Sequence, residues 1–237
     1  MSALWILIVG GGSAGWMTAA YLDAEINAEG QSPVDIALIE SPDLPRFGVG
    51  EATIPSINHV LAVIGIDEID FLKRVDGTYK QAIKYADWLD GQGESYYHAF
   101  GRYRSSPIDS TSMDWLMSDR SLPFSETISA QPVICDACLA PKTLELADVG
   151  ARFTYAFHMN ALKVADYLCE IATSRGVGHH LEHIVDIEMK DTGDIAAVKT
   201  KTGKRIEADL FVDATGFAGL MIEKKLGEKW IDCSQWL

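Results

Sequence analysis

The sequence predicts an α/β protein whose core is a Rossmann-type parallel sheet with an added β-meander. Three observations predict it. An apolar run, "LWILIV" (4–9), leads into the glycine series "GGGSAG" and then into a stretch rich in Ala, Met and Leu. A second apolar run, "VDIALIE" (34–40), follows one helix length later and ends on an acid. Near the far end, the turn signals "DTGD" and "KTGK" divide three short runs that precede a last strand, "DLFVDATG".

Each element has its own reason. Residues 4–9 are continuously apolar, as in a parallel strand covered on both faces. The segment "AGWMTAAYLDAEI" reads as a helix, and 34–40 as the next strand, so the three form one crossover unit of roughly 30 residues. Prolines and glycines keep "SPDLPRFGVGEATIPS" (41–56) out of regular structure, which makes it an ordered or functional loop. Residues 57–74 read as helical. Between 77 and 150 the pattern is less regular, with aromatic strand candidates "YKQAIKYADW" and "SYYHAFGRY" and a short helix at "DWLMSDR". "NALKVADYLCEIATSRG" is a helix stopped by Gly176. The meander and a buried strand through Asp213 complete the chain. These readings give a nucleotide-binding core from 1–76 and 151–237, and the start of an inserted substrate region at 77–150. The terminus, "KWIDCSQWL", is unusually apolar for a chain end, so the fold is expected to continue past Leu237.

Composition narrows the function. A formal charge of −14 argues against nucleic acid and anionic membrane as partners. No basic residue precedes Arg46, so the N-terminus lacks the charged region of a signal peptide, and a cytoplasmic location is the default expectation. Cys135 and Cys138 form one C-x-x-C without a second pair, which reads as two incidental reduced thiols. His179, His180 and His183 invite a metal reading, but they span a strand and its turn with no acidic or Cys partner at ligand spacing.

The glycine series carries the strongest motif, Gly10-x-Gly12-x-x-Gly15 between a strand and a helix. Its first glycine allows the tight turn, the second admits a pyrophosphate, and the third lets helix and strand approach. Ser13 and Ala14 open the helix, whose N-terminal dipole favours phosphate. Glu40 lies about 25 residues on, where an acid accepts from ribose hydroxyls. NAD dehydrogenases continue in βαβ units, whereas a meander followed by a strand ending Asp213-Ala214-Thr215-Gly216 is a flavoprotein layout. FAD is therefore the expected cofactor, with Asp213 and Gly216 returning to the nucleotide.

Several segments together, "GGGSAGWMTAAYL", "GVGEATIP", "TYKQAIKYADW", "YYHAFG" and "DLFVDATGF", resemble the flavin-dependent tryptophan halogenases, in that order and over essentially the whole chain. The resemblance implies a flavin-monooxygenase-like fold. It also implies reduced FAD delivered by a separate, diffusing flavin reductase, with dioxygen and chloride or bromide yielding hypohalous acid. Gly48, Val49, Gly50, Glu51, Ala52 and Thr53 would be a mobile strap over the flavin. The small and apolar residues around it make full exposure unexpected. Of the two lysines in "TYKQAIKYADW", Lys80 matches the family's catalytic lysine, while Lys84 has no family role. An amine in apolar surroundings has a lowered pKa. It could be halogenated itself, or as ammonium polarise hypohalous acid, and the two routes stay open. His98 and Phe100 match positions that sandwich the small aromatic substrate, or else form a core aromatic cluster. A homodimer is a compatible assembly. The family's W-x-W-x-I-P stretch, its later Gly-Asp flavin motif, its halide site and its assisting glutamate do not occur in 1–237. A monooxygenase of the same fold and a non-catalytic FAD-binding module are the alternatives.

Overall fold

The computed structural model describes residues 4–27, 34–44, 49–101, 111–142 and 153–236. From the N-terminus, β1 (Leu4–Val9) turns through the glycines into α1 (Ser13–Ile26), and β2 (Val34–Glu40) follows. A short strand, β3 (Gly50–Ala52), precedes α2 (Ile57–Ile64) and α3 (Glu68–Arg74). The single helical stretch expected over 57–74 is thus two helices. Gly65 takes a left-handed φ of +75°, and Asp67 caps the second helix by accepting from the Asp70 amide at 2.8 Å. Next come β4 (Thr78–Lys80), β5 (Ala82–Ala86) and β6 (Ser95–Ala99), then the short helices α4 (Thr111–Met117), α5 (Phe124–Ile128) and α6 (Gln131–Asp136). The chain goes on through β7 (Ala156–Asn160), α7 (Ala161–Ser174), β8 (Gly178–Leu181), β9 (Ile184–Met189), β10 (Ile195–Thr200), β11 (Arg205–Glu207) and β12 (Leu210–Asp213).

By its contacts the chain divides into two compact units. One comprises Met1–Gly50, Leu61–Asp76 and Asn160–Leu237; the other comprises Glu51–Val60 and Gly77–Met159. Residues 51–60 and 153–159 therefore pack with the aromatic middle of the chain, across the boundaries at 76 and 151 drawn from the sequence. The reason is strand pairing, because β7 lies between β3 and β4 in one sheet.

The first unit has three layers. Its parallel sheet runs β12-β1-β2-β8, with Ile6 beside Ile36 and Ile8 beside Leu38. Alternation sends Leu7, Val9, Ala37 and Ile39 to one face, where they pack on Ile187 and Val198 of the antiparallel meander β9-β10-β11. Ile6, Ile8, Ile36 and Leu38 take the other face, next to α1, which in turn packs on α7. Ala19, Ala20, Ala165 and Ala172 are all buried, and such small residues let two helices approach closely. Each fully buried Leu or Ile here stabilises by about 1.5–3 kcal/mol. One expectation is corrected: β12 is only partly buried, and Leu210 is exposed, because it is an edge strand of this sheet. Phe217, Trp230, Ile231 and Trp236 are exposed in the C-terminal segment, with Phe217 and Trp230 stacked 6.4 Å apart.

The second unit pairs β5 with β6 and β4 with β7, both antiparallel. Behind β4 the rings of Tyr79, Tyr155 and Phe157 meet at 5.2–6.0 Å. Two buried glutamines tie its loops: Gln81 donates to the Leu139 carbonyl at 2.7 Å, and Gln131 donates to that of Thr154 at 2.6 Å. Lys84 is exposed and bound to Asp136 at 3.1 Å, which joins β5 to α6. Cys135 and Cys138 are free, and burial, followed by the nearby Asp136 and Cys138, raises the Cys135 thiol away from reactivity.

Candidate functional site

The glycine turn in the first unit is held backbone to backbone. The Gly10 amide donates to Ile39 at 2.9 Å, and Ala214 donates to Val9 at 2.8 Å, so the turn sits between β2 and β12. Gly10 has φ +116°, and a Cβ on it would lie 2.2 Å from the Ala214 carbonyl oxygen. A Cβ on Gly15 would lie 1.9 Å from the Gly10 carbonyl and 3.4 Å from Leu38, which explains the close approach of α1 to the sheet. At Gly12 the result is the opposite, since a Cβ there meets nothing within 4 Å. That open space faces the start of α1, whose N-cap residue Gly12 supplies no side-chain cap. An uncapped helix N-terminus beside an empty-sided glycine fits a pyrophosphate. Ser13 donates its hydroxyl to the Ala161 carbonyl at 3.0 Å, tying this turn to α7, and Ala14 is exposed on the first helical turn.

Two acids flank the turn. The side chain of Glu40 is only 10% exposed, and its carboxylate accepts from His179 Nε2 at 2.9 Å. A Cβ on Gly11 would strike that carboxylate at 1.8 Å, so the middle glycine is required by Glu40 and not by the turn itself. Sequence reasoning missed both Gly11 and His179, because their need is created by a side chain from another strand. Asp213 is taken up within the chain. One oxygen accepts from the Thr215 amide and hydroxyl at 3.0 and 2.6 Å, and the other accepts from Met221 and Ile222 at 2.8 and 3.0 Å. Burial alone would raise its pKa, but these donors, Thr215 first, outweigh that and hold the carboxyl below its ordinary value. Asp213 thus has four internal donors, and the turn continues through Gly216 at φ +60°.

The three histidines go separate ways. His180 is held below the ordinary imidazole pKa by burial and then by the charge of Lys204. His183 contacts Ser41 at 3.0 Å and Asp43 at 2.6 Å, and its hydrogen bond lowers the Asp43 pKa. Among the described residues, no group of three His, Cys, Asp or Glu side chains is arranged to hold a metal ion.

In the second unit, Lys80 and Lys84 diverge as their neighbours dictate. Lys80 is half-buried at the end of β4, opposite the fully buried Ala156. Its Nζ donates to the Thr53 carbonyl at 3.0 Å and stands 5.4 Å from the centre of the Phe100 ring. Thr53 is itself fixed, its hydroxyl donating to the Phe157 carbonyl at 3.1 Å and accepting from the Phe157 amide at 3.0 Å. Phe100 is brought close by its amide, which donates to the Gln81 carbonyl at 3.1 Å. An ammonium has three hydrogens, so one bond to Thr53 leaves two for other acceptors. Partial burial, and after it the charge of Lys80, lowers the pKa of His158. His98 and Phe100 lie 6.4 Å apart with planes at 84°. They contact each other edge to face.

Of the strap residues, Gly48 lies outside the described residues. Val49, Gly50, Glu51 and Ala52 are exposed, contrary to the expectation from their composition. Gly50–Ala52 form β3, an edge of the sheet β3-β7-β4, and Val49 directly precedes it. Val49 is anchored by the Ala161 amide at 3.2 Å, and Glu51 accepts from the Ala52 amide at 3.1 Å.

A parallel sheet carrying a glycine turn, an uncapped helix start and an acid at the end of the second strand define a Rossmann-type nucleotide-binding domain. More specifically, the chain belongs to the tryptophan halogenase family, whose family model matches residues 5–237. It is 38% identical to tryptophan 7-halogenase RebH of Lentzea aerocolonigenes over 98% of this chain and 46% of that one. The solved structure of a tryptophan halogenase from Shewanella frigidimarina superposes with a TM-score of 0.89 at 34% identity, covering 97% of this chain and 45% of the other. Tar14, a tryptophan C-6 flavin-dependent halogenase from taromycin biosynthesis, gives a TM-score of 0.86 at 35% identity, covering 98% and 46%. The chain spans about half the length of the curated relatives it matches. No helix among the described residues is long and apolar enough to cross a membrane.

Proposed function

We propose that this chain is the FAD-binding, lysine-bearing part of a flavin-dependent halogenase acting on tryptophan or another indole. The observation that carries the reading is the position of the Lys80 ammonium, 3.0 Å from the Thr53 carbonyl at the end of the strap segment and 5.4 Å from the Phe100 ring. FAD would be held by the backbone around Gly10, Gly12, Ser13, Ala14 and Gly15, by Glu40 at a ribose, by Val49–Ala52, and by the turn from Asp213 to Gly216. When bound and reduced, FAD supplies the electrons that, with dioxygen, convert chloride or bromide to hypohalous acid. Lys80 then has two chemically balanced options. As ammonium it donates a hydrogen bond to the hypohalous oxygen, making the halogen more electrophilic toward an indole carbon. As free amine it attacks the halogen, forming an N–halogen bond and releasing water. The Phe100 ring lies 5.4 Å from that nitrogen, and His98 and Phe100 are the candidate contacts for the aromatic substrate. A diffusing flavin reductase as the source of reduced FAD, a cytoplasmic location and a homodimeric assembly complete the reading.

The test is halide incorporation by mass spectrometry, in the protein that carries this chain, with reduced FAD, chloride or bromide, and tryptophan or indole. Lys80→Ala should lower halogenated product by about a hundredfold or more while FAD affinity and oxygen consumption stay near wild type. Lys80→Arg should fail as well, because a guanidinium stays charged and cannot attack halogen. Undiminished halogenation by Lys80→Ala would overturn the assignment. Hydroxylated product from the wild-type protein would favour a monooxygenase of the same fold.

A further inference from the structure

We propose that His179 is a positioning residue that fixes Glu40 for the ribose of the bound nucleotide. This rests on the reading of the glycine turn as an FAD site. His179 pairs with Leu38 across β2 and β8, and Glu40 lies two residues beyond Leu38, so both side chains project on the helix-facing side of the sheet. His180, next along the strand, faces the other way and cannot serve. Nε2 of His179 lies 2.9 Å from Glu40 Oε1. A carboxylate only accepts, so Nε2 is the donor in this bond. Nδ1 stands 4.0 Å from the Cys169 sulfur of α7, a thiol able to donate to it weakly. The fully buried Trp16 of α1 packs edge to face on the ring, with centroids 4.9 Å apart. The imidazole is thus held by two helices while it holds the acid.

The consequence concerns Glu40. A glutamate has three side-chain torsions to be fixed. Here the His179 bond, together with the backbone of Gly11 lying against Oε2, draws the carboxylate back over the glycine turn. Each carboxylate oxygen can accept two hydrogen bonds, so the bond from His179 does not exhaust the acid's capacity for hydroxyls. Orienting Glu40 before the ligand arrives spares the binding step the loss of rotamer freedom.

The experiment compares ADP with 2′,3′-dideoxy-ADP by isothermal titration to the protein that carries this chain. Wild type should bind ADP about tenfold or more tightly than the dideoxy form, as expected for hydroxyl bonds to a carboxylate. His179→Phe keeps a ring against Trp16 but loses the donor, and His179→Asn is too short to reach Glu40. Both should bring the ratio close to one. His179→Gln, which can still donate, should restore most of it. In a Glu40→Ala background, His179→Phe should change the ratio no further. A ratio that survives in His179→Phe or His179→Asn would overturn the proposal, as would one lost equally in His179→Gln. Unfolding of both Phe and Asn variants would make His179 a structural prop and count against it. If wild type binds ADP but ignores the ribose hydroxyls, the proposal fails while the nucleotide site stands. If wild type binds neither ADP nor FAD, the underlying nucleotide reading fails.

Discussion

The glycine turn and the Lys80 strand are built by different kinds of contact. In the turn, backbone meets backbone: Gly10 against Ala214, Gly15 against Gly10, each too close for any side chain. At Lys80, one flexible side chain reaches a carbonyl and a ring supplied by two other segments. The first arrangement tolerates almost no substitution. The second should tolerate many substitutions structurally and, on the proposed reading, depend on one amine chemically. Stability should therefore be concentrated at the turn, and function separable from it at the lysine.

The largest effect that would break this comparison is at Gly10. Gly10→Val combines a φ of +116° with a 2.2 Å clash against backbone, so it should cost more than about 4 kcal/mol, or prevent folding. Chemical denaturation reads this directly; a variant as stable as wild type would show that the turn is not constrained as described. Gly12→Val sharpens the contrast, because its side chain enters open space at an ordinary φ of −76°. Folding should change by less than about 1 kcal/mol, while FAD affinity, measured by flavin fluorescence, should fall by two orders of magnitude or more. Equal FAD affinity would remove Gly12 from the pyrophosphate site.

A smaller effect should appear with pH. His158 and His180 both have pKa values below the ordinary 6.5, because burial disfavours their charged forms. Well above pH 6.5 neither folded nor unfolded chain protonates them appreciably, and the fold keeps its full stability. As pH falls below that, the unfolded chain takes up protons first, so stability should decline steadily toward pH 5. Asp213 adds a further loss at lower pH, since its carboxyl is held below the ordinary 3.8 by donors that protonation would break. Urea midpoints measured at about pH 7.5 and about pH 5.5 should differ in that direction, and His180→Gln should narrow the difference. The smallest effect is expected at Lys84. Asp136 and Tyr97 raise its pKa, but the pair is exposed, and exposed ion pairs contribute little. Lys84→Ala should leave melting temperature and halogenation within measurement error; a marked loss of product would mean the wrong lysine has been chosen.

Much of the first unit is determined by local sequence. The apolar runs 4–9 and 34–40, the helix beginning at Ser13 and the turns of the meander follow from periodicity and from glycine placement, which act over a few residues. So does the motif itself: Gly10, Gly12 and Gly15 are spaced by the geometry of one strand–turn–helix. What the sequence could not decide was which distant segments meet. That β8 joins the sheet beside β2, and so brings His179 to Glu40, depends on a register between strands far apart in the chain. The same holds for β7, which pairs with β4 and binds Thr53, and so gives Lys80 its acceptor. Composition suggested a covered strap at 49–52, yet exposure is set by whether a neighbouring strand or helix lies over a segment, and β3 is an edge. Local propensity carries the elements because it needs only neighbours along the chain. Lys80 and Lys84 lie in the same short stretch, each beside an aromatic ring, and only tertiary packing gave one the Thr53 carbonyl in half-buried surroundings and the other an exposed acid.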